Sequence, residues 1–311
     1  ALKSAAKNGL DAIGLGSSEE RAAFVRGQGA RGGSQRGGTG SSGSNTPATT
    51  RARANATWSK DGKAFYATRR DTRGVQELFL VDSLGTPRPT LQTYSYSMPG
   101  EAAVAHSELW AFDRGGKQLR QVPPKGPHES YQSIHFFGEG SELRFLRRDR
   151  LQRNAELCAV DPATNAVRVL LSESVEGATL ALQSHRYLEK RKQIVWWSER
   201  SGWGHFYLHD VMTGALVNPI TSGTFRASRI LEVDEEAGVV WFRGNGRERA
   251  ENVYHEHLYR VNLDGTDLVC LDPGDASHRS TLSPTRRYVV DTYSRVDASA
   301  TGSSGARHRP G

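Results

Sequence analysis

A two-strand pattern recurs along this chain of 311 residues, and its clearest copy is the run Ile194–Asp210, IVWWSERSGWGHFYLHD. Two apolar β-rich bursts flank a short polar turn that contains glycine, as expected of a β-hairpin. Relatives of the second strand start at residues 77, 108, 156, 205 and 257, so that successive starts are 31, 48, 49 and 52 residues apart. A period near 50 residues that is built of strands alone is typical of propeller blades.

The first strand of each repeat is also recognisable. Its copies lie at Ala64–Thr68, Leu143–Leu146, Ile194–Trp197, Val239–Phe242 and Tyr288–Val290. The second-strand copies are Glu77–Asp82, Glu108–Asp113, Glu156–Asp161, His205–Asp210 and His257–Asn262. We therefore predict an all-β propeller over residues 57–297 with five to six recognisable four-stranded blades, the sixth beginning at His278.

The two ends of the chain differ from this repeat region. Residues 17–25 predict a short helix with a capping box formed by Ser17 and Glu20. A Gly-, Ser- and Arg-rich run follows to residue 56; it has too few large apolar side chains to fold and is predicted to be disordered. Residues 298–311, ASATGSSGARHRPG, have no pattern and predict an unstructured tail. Neither a signal peptide nor a membrane span is predicted.

The net charge of +7 is concentrated at the ends of the chain. Residues 1–60 carry nine Lys and Arg against three acidic residues, and the tail adds two arginines, which leaves about −1 for residues 61–297. This repeat region therefore has no bulk charge that would recruit nucleic acid or an anionic membrane. The Arg-Gly-Gly elements at Arg31 and Arg36 lie in a run without aromatic residues, which favours a flexible linker over an RNA-binding segment.

Cys158 and Cys270 are the only two cysteines. They lie in strand-like runs of different repeats, without CxxC spacing. Two buried free thiols and one disulfide bond are both compatible with this pattern, so the redox compartment stays open.

The histidines do not predict a metal site. His205 and His209 would lie about 13 Å apart on one strand, too far to share an ion. His255 and His257 would lie about 6.6 Å apart on one face, but no third ligand has a clear spacing. We therefore predict no metal and no cofactor.

Several motifs together carry a resemblance to a known family. The run that starts at Trp58, WSKDGKAFYATRRD, is similar to the WSPDG opening of many propeller blades. More specific motifs follow at Pro87–Glu101 (PRPTLQTYSYSMPGE), Val195–Trp203, His205–Leu208, Leu282–Pro284 and Tyr288–Val296. In this order and spacing, over roughly residues 57–297, they resemble the propeller domain of dipeptidyl peptidase IV-type serine peptidases of the prolyl oligopeptidase family.

The resemblance implies a fold and an activity. In this family an N-terminal propeller of eight blades lies over a C-terminal α/β-hydrolase domain with a Ser-Asp-His triad. The enzymes release dipeptides from peptide N-termini, preferentially after proline, and are periplasmic or secreted; the parent enzyme can be a homodimer. Only 14 residues follow Asp297, and no G-x-S-x-G nucleophile elbow occurs in the sequence. The chain by itself is therefore expected to be inactive, whether it is a truncated, frame-shifted or designed fragment.

The resemblance also suggests substrate-binding residues. The family binds the free amino group of its substrate with two adjacent glutamates just before a WSPDG-type blade, and Glu19-Glu20 precede Trp58. The long insertion between them departs from the family spacing, and a capping box on a solvated helix is the competing interpretation. Trp203 lies in a hairpin turn and is expected to be exposed, whereas Trp196, Trp197 and Trp241 are expected in the core. Glu235-Glu236 is expected to be a solvated turn.

Together these patterns predict the substrate-gating propeller domain of a serine dipeptidyl peptidase. Its partners would be peptide N-termini and the missing hydrolase domain. The alternative is a non-catalytic propeller that serves as a scaffold for a protein or a glycan. Because an incomplete propeller leaves strand edges unpaired, the chain alone is expected to self-associate.

Overall fold

The computed structural model describes residues 55–181 and 185–306. Within these ranges the chain forms β-strands and turns without a helix, and therefore contains no helix that could span a membrane. The contacts divide the chain into two compact units that meet in sequence at Leu180. The helix predicted at residues 17–25 lies outside the described residues, as does the Gly-, Ser- and Arg-rich run up to residue 54 that the sequence predicts to be disordered.

The first unit contains two four-stranded antiparallel sheets and a separate two-stranded ribbon. The first sheet has the order β1 (Asn55–Trp58), β2 (Ala64–Asp71), β5 (His106–Asp113), β6 (Gln118–Gln121), and the ribbon pairs β3 (Glu77–Asp82) with β4 (Thr90–Ser95). The second sheet consists of β7 (Ser130–Phe136), β8 (Leu143–Arg148), β9 (Asn154–Val160) and β10 (Val167–Ser174). Its strands follow one another in space as they do in sequence, as in a propeller blade.

The ribbon corrects one strand of the predicted repeat. Glu77–Asp82 was expected to be a second blade strand, but it is β3 and pairs only with β4. Strand β2 pairs directly with β5, from Ala64 opposite Asp113 to Asp71 opposite His106, so the ribbon is an insertion within the first sheet. The insertion explains why the spacing from 77 to 108 is much shorter than the other repeats.

The second unit contains three sheets. The third sheet of the chain is β11 (Arg186–Leu188), β12 (Gln193–Ser198), β13 (His205–Asp210) and β14 (Leu216–Pro219), and the fourth is β15 (Arg226–Asp234), β16 (Val239–Asn245), β17 (Glu256–Asn262) and β18 (Val269–Cys270). The fifth contains β19 (Ser277–His278), β20 (Thr281–Leu282), β21 (Tyr288–Arg295) and β22 (Ala298–Ala306). The predicted first strands lie in β2, β8, β12, β16 and β21, one in each of the five sheets.

The fifth sheet fills only three strand positions. β19 and β20 pair with β21 in one common register, Ser277 opposite Ser294 and Thr281 opposite Val290, so they are two pieces of one interrupted strand. β22 pairs with the other edge of β21. Residues 298–306 therefore form a strand, whereas the sequence predicts an unstructured tail from residue 298. Backbone pairing is independent of side chains, so an Ala-, Gly- and Ser-rich run can add to an open edge.

Alternating apolar positions build the core of the second unit. The inward side chains of β12, β13, β16 and β17 form one cluster that includes Val195, Trp197, Phe206, Phe242 and Tyr259. The Trp197 indole is 1% exposed, and its Nε1 donates a hydrogen bond of 2.6 Å to the carbonyl oxygen of Ala227. Trp196 and Trp241 are buried as well, so the predicted core role of the three tryptophans is confirmed.

Both cysteines are free thiols, and they differ in burial. Burial raises the pKa of the Cys158 thiol to about 11, whereas Cys270 is only partly buried. Because the thiolate is the reactive form, we expect a thiol reagent at about pH 8 to label Cys270 in the native protein, and Cys158 only after unfolding. Peptide mapping of the labelled, unchanged chain checks both thiols. Rapid labelling of Cys158 in the Cys270→Ser variant without denaturant would contradict the expectation.

A histidine and carboxylate cluster as the candidate functional site

A dense group of ionisable side chains lies in the second unit, where the fourth and fifth sheets of the chain meet. Strand β17, the loop before it, the loop after β18, and strands β19 and β21 contribute to it. We call it the histidine–carboxylate cluster; its members are Glu251, His255, His257, Asp272, Asp275, His278, Ser280 and Asp291, with Cys270 at its margin.

His257 lies at the centre of this cluster. Its Nε2 donates to Glu251 Oε2 at 2.8 Å, and its Nδ1 donates to the carbonyl oxygen of Asp272 at 3.1 Å. Burial of His257 opposes the charged form, but hydrogen bonds to Asp272 outweigh it and raise the pKa of His257 to about 11. The imidazole is therefore a cation with both nitrogens engaged.

Asp272 connects the two sheets. Its carboxylate accepts hydrogen bonds from the backbone N–H of Leu258 at 2.8 and 3.0 Å, and its Oδ2 lies 2.5 Å from Ser280 Oγ. Ser280 Oγ in turn lies 2.9 Å from Asp291 Oδ1. These groups are buried, and they satisfy one another's hydrogen-bonding atoms. The network therefore aligns β17 with β19 and β21 without leaving its carboxylates unpaired.

The buried members of the cluster, His257, Asp272, Ser280 and Asp291, form its inner part, and His278 completes it. Its Nδ1 lies 2.7 Å from Asp291 Oδ2, and its Nε2 lies 3.0 Å from the carbonyl oxygen of Gly274. Its ring contacts that of His257 at a tilt of 33°, with 4.8 Å between centroids. The inner part thus satisfies its own polar atoms. The outer part, made of Glu251, His255 and Asp275, is more open: Asp275 is exposed and the other two are half-buried.

The two histidine pairs considered in the sequence lie in different surroundings. His205 Nδ1 and Nε2 lie 3.0 Å from Thr221 Oγ1 and the carbonyl oxygen of Gly223, and burial lowers the pKa of His205. His209 Nδ1 bonds to the carbonyl oxygen of Gly214, within its own hairpin. His255 and His257, in contrast, both belong to the cluster. The sequence did not reveal the acidic members, because turn residues such as Asp272 and Asp275 carry no spacing signal that distinguishes a ligand from a turn.

The other predicted site residues do not approach the cluster through any described contact. Trp203 lies in the turn between β12 and β13 and is 44% exposed. Glu19 and Glu20 lie outside the described residues. Glu235 lies in the turn between β15 and β16, where its Oε2 accepts a hydrogen bond of 3.0 Å from the backbone N–H of Lys190. The Glu235-Glu236 turn was predicted to be solvated, but Glu235 contacts the loop between β11 and β12.

The first unit has a buried ionic cluster of its own. Arg147 donates two hydrogen bonds to Glu156 Oε2, at 2.6 and 3.1 Å, and Lys125 Nζ pairs with the other oxygen of Glu156. Glu129 lies 3.9 Å from Arg147 and accepts from the backbone N–H groups of Lys125 and Gly126. Two cations and two carboxylates thus balance one another, with Arg147, Glu129 and Glu156 buried and the Lys125 side chain 65% exposed.

We expect the Glu156→Gln variant to lose about 2 kcal/mol of unfolding free energy at neutral pH, because Gln has no negative charge and its NH₂ group cannot accept from the second cation. Burial of Glu156 acts to raise its pKa, but hydrogen bonds from Lys125 and Arg147 lower it below the usual 4.5. The stabilisation is therefore present above about pH 4.5 and is lost as the pH falls through the lowered pKa. Urea unfolding of both proteins from pH 7 to pH 3 measures this; a constant difference across the range would contradict it.

Comparison with known proteins assigns the chain to a family. The family described as the dipeptidyl peptidase IV (DPP IV) N-terminal region matches residues 51–300. The chain belongs to this family. The match covers all five sheets up to the first residues of β22, so the resemblance predicted from the WSKDG, PRPTLQTYSYSMPGE and hairpin motifs is confirmed.

Relatives of this DPP IV N-terminal region agree with the assignment. An Aspergillus flavus protein described as dipeptidyl peptidase 4 is 27% identical over 158 residues, which are 48% of this chain and 20% of the relative. The crystal structure of Porphyromonas gingivalis dipeptidyl peptidase 4 matches 81% of this chain and 35% of its own, with a TM-score of 0.62 and 20% identity. A dipeptidyl aminopeptidase IV structure from Bacteroides ovatus matches 81% and 38%, with a TM-score of 0.63 and 18% identity.

These comparisons confirm the all-β propeller fold of the DPP IV N-terminal region. They also show that the chain spans about a fifth of the curated relative and little more than a third of the two solved chains. The family assignment makes this a domain related to dipeptidyl peptidases, enzymes that act on peptides.

Proposed function

We propose that this chain is the substrate-gating propeller domain of a serine dipeptidyl peptidase. The observation that carries the proposal is the family match over residues 51–300, which coincides with the five described sheets. No G-x-S-x-G motif occurs among the 311 residues, so the peptide-cleaving chemistry would be supplied by an α/β-hydrolase domain outside this sequence. Localisation would be periplasmic or secreted.

In this role the propeller admits peptide ends and excludes folded proteins. A gate of this kind acts by size, and specificity then requires a group that recognises the free amino terminus. Two adjacent carboxylates suit that task, because an ammonium group can donate charge-assisted hydrogen bonds to both. Glu19 and Glu20 are the pair proposed for it, and Trp203 supplies an exposed aromatic surface beside a peptide.

The deciding experiment is hydrolysis of a Gly-Pro chromogenic amide. We expect no activity from the 311-residue chain, and activity from a form extended through whatever coding sequence follows it in any reading frame. Hydrolysis of the amide by the extended form alone supports the dipeptidyl peptidase role. Inactivity of both forms, although both are folded, rejects it.

Variants of the active extended form test the proposed residues. Glu20→Gln should raise KM for the amide, because an ammonium partner is lost, while Trp203→Ala should lower kcat/KM without a change in melting temperature. Glu236→Gln, an exposed residue of the chain's other glutamate pair, is the matched control and should leave both constants unchanged. Equal effects of Glu20→Gln and Glu236→Gln would exclude the proposed amine site.

A second candidate is a non-catalytic scaffold that binds a protein or a glycan. The ribbon β3–β4 favours it, because the ribbon has exposed apolar side chains on both faces and monomeric proteins seldom leave such surfaces uncovered. This function predicts that the chain as it stands binds its partner without any extension. It becomes the better account if both forms lack peptidase activity.

A further inference from the structure

The outer part of the histidine–carboxylate cluster contains an imidazole nitrogen that its neighbours leave without a hydrogen bond. His255 Nδ1 is buried from solvent and makes no hydrogen bond, although Asp275 Oδ1 lies 3.1 Å away. A buried polar nitrogen without a hydrogen bond lowers the free energy of unfolding unless another group binds it. The observation therefore points to a ligand that can lie between the imidazole and the carboxylate.

Glu251 and Asp275, the two carboxylates beside His255, each accept a hydrogen bond from another side chain at one of their two oxygens. Glu251 Oε2 accepts from His257 Nε2 at 2.8 Å, and Asp275 Oδ2 accepts from Arg295 Nη1 at 2.8 Å. Arg295 is itself fixed by a bidentate pair with Asp297, at 2.9 and 3.0 Å. Each carboxylate is thus oriented by a hydrogen bond at one oxygen, and Asp275 presents its remaining oxygen, Oδ1, to His255. Metal-binding carboxylates are commonly held by such outer hydrogen bonds.

From this geometry we propose that Glu251, His255 and Asp275 bind one divalent transition-metal ion, of which Zn²⁺ is the best match. One ligand atom from each residue lies within 4.8 Å of the other two. Two ligands bonded at about 2.0–2.2 Å to one tetrahedral ion lie about 3.4 Å apart, so the three side chains would have to move together by up to about 1.4 Å. One imidazole and two carboxylates favour zinc over calcium or magnesium, which take oxygen ligands alone.

The inner part of the cluster is a weaker candidate. His257, Cys270 and Asp272 also come within 4.8 Å of one another, but His257 already donates from both nitrogens and Asp272 accepts from Leu258 and Ser280. A metal there would have to displace these hydrogen bonds. At the outer site the exposed side of Asp275 leaves a path for the ion.

The site joins two sheets, so the ion would have a structural role. Glu251 and His255 belong to the loop that precedes β17, and Asp275 precedes β19 of the fifth sheet. Binding of an ion to the folded state alone raises the stability of that state by mass action. This inference is independent of the proposed peptidase role, since it concerns the propeller residues only.

Zinc titration of the tag-free 311-residue chain tests the proposal. Isothermal calorimetry should show one zinc ion per chain at micromolar concentration, and the melting temperature should rise with zinc. Asp275→Asn and His255→Ala should each weaken zinc binding at least about tenfold. Melting of each variant without zinc establishes that it is folded, and Asp275→Asn keeps the size of the side chain.

Two control variants separate this site from its competitors. Cys270→Ser alters the inner part of the cluster, and His128→Ala removes an imidazole that lies beside His106, with 3.1 Å between their Nδ1 atoms. Both should bind zinc as the unchanged chain does, and the Co²⁺ form should lack a thiolate-to-cobalt charge-transfer band. Absence of zinc binding at micromolar concentration overturns the proposal. The proposal is also overturned if zinc binding is lost in Cys270→Ser or His128→Ala but is retained in Asp275→Asn.

Discussion

Replacement of Gly204 by alanine is expected to lower the free energy of unfolding by about 4 kcal/mol, through overpacking and the loss of a buried hydrogen bond. A Cβ atom on Gly204 would lie 2.3 Å from Cζ2 and 2.8 Å from Cε2 of the Trp197 ring. The indole cannot move aside without breaking its hydrogen bond to the Ala227 carbonyl, and it is packed in the core of the second unit. Urea unfolding followed by tryptophan fluorescence measures the loss.

Gly140→Ala is the control for this substitution. A Cβ there would meet only the carbonyl oxygen of Phe137, at 3.9 Å, which is ordinary van der Waals contact. Its effect should stay within about 0.5 kcal/mol. If Gly204→Ala is as mild as Gly140→Ala, the close approach of β13 to Trp197 is wrong.

The isolated chain is expected to self-associate, and the ribbon β3–β4 to be the main cause. On one face of the ribbon Phe79, Val81 and Leu91 are 61%, 67% and 62% exposed, and Leu80 and Tyr94 are exposed on the other. Val81 lies opposite Leu91 in the register, so the first three side chains form one continuous apolar strip. A two-stranded ribbon with apolar side chains on both faces is at best marginally stable in water unless it is covered.

The triple variant Phe79→Thr, Val81→Thr, Leu91→Thr should shift the chain towards monomer in sedimentation velocity experiments. Threonine keeps a high β propensity, so the ribbon can be retained while its apolar surface is reduced. The control is Val169→Thr, which removes an exposed apolar side chain from β10 and should leave the distribution unchanged. A monomeric unchanged chain contradicts the expectation. A triple variant that still associates points instead to the open outer edge of β22.

Local patterns in the sequence were sufficient for the blade strands. The first-strand copies were predicted within a few residues of β2, β8, β12, β16 and β21, because short apolar, β-branched runs between turn signals indicate buried strands. The same signals placed Trp197 in the core and Trp203 in an exposed turn. The motif order then indicated the family, which the match over residues 51–300 confirms.

The tertiary structure alone decided three other features. Glu77–Asp82 has the apolar pattern of a blade strand, but its partner is β4 rather than β2, and strand pairing is a long-range choice that composition does not record. β22 has no apolar pattern, and it exists because β21 offers an open edge. The histidine–carboxylate cluster combines residues from 251 to 291, and no local spacing identifies such a set because the sheets bring its members together only when they pack. A short apolar run bounded by turn residues is a property of one strand and is readable from sequence. Partner choice and site assembly depend on distant backbone and were determined by the fold.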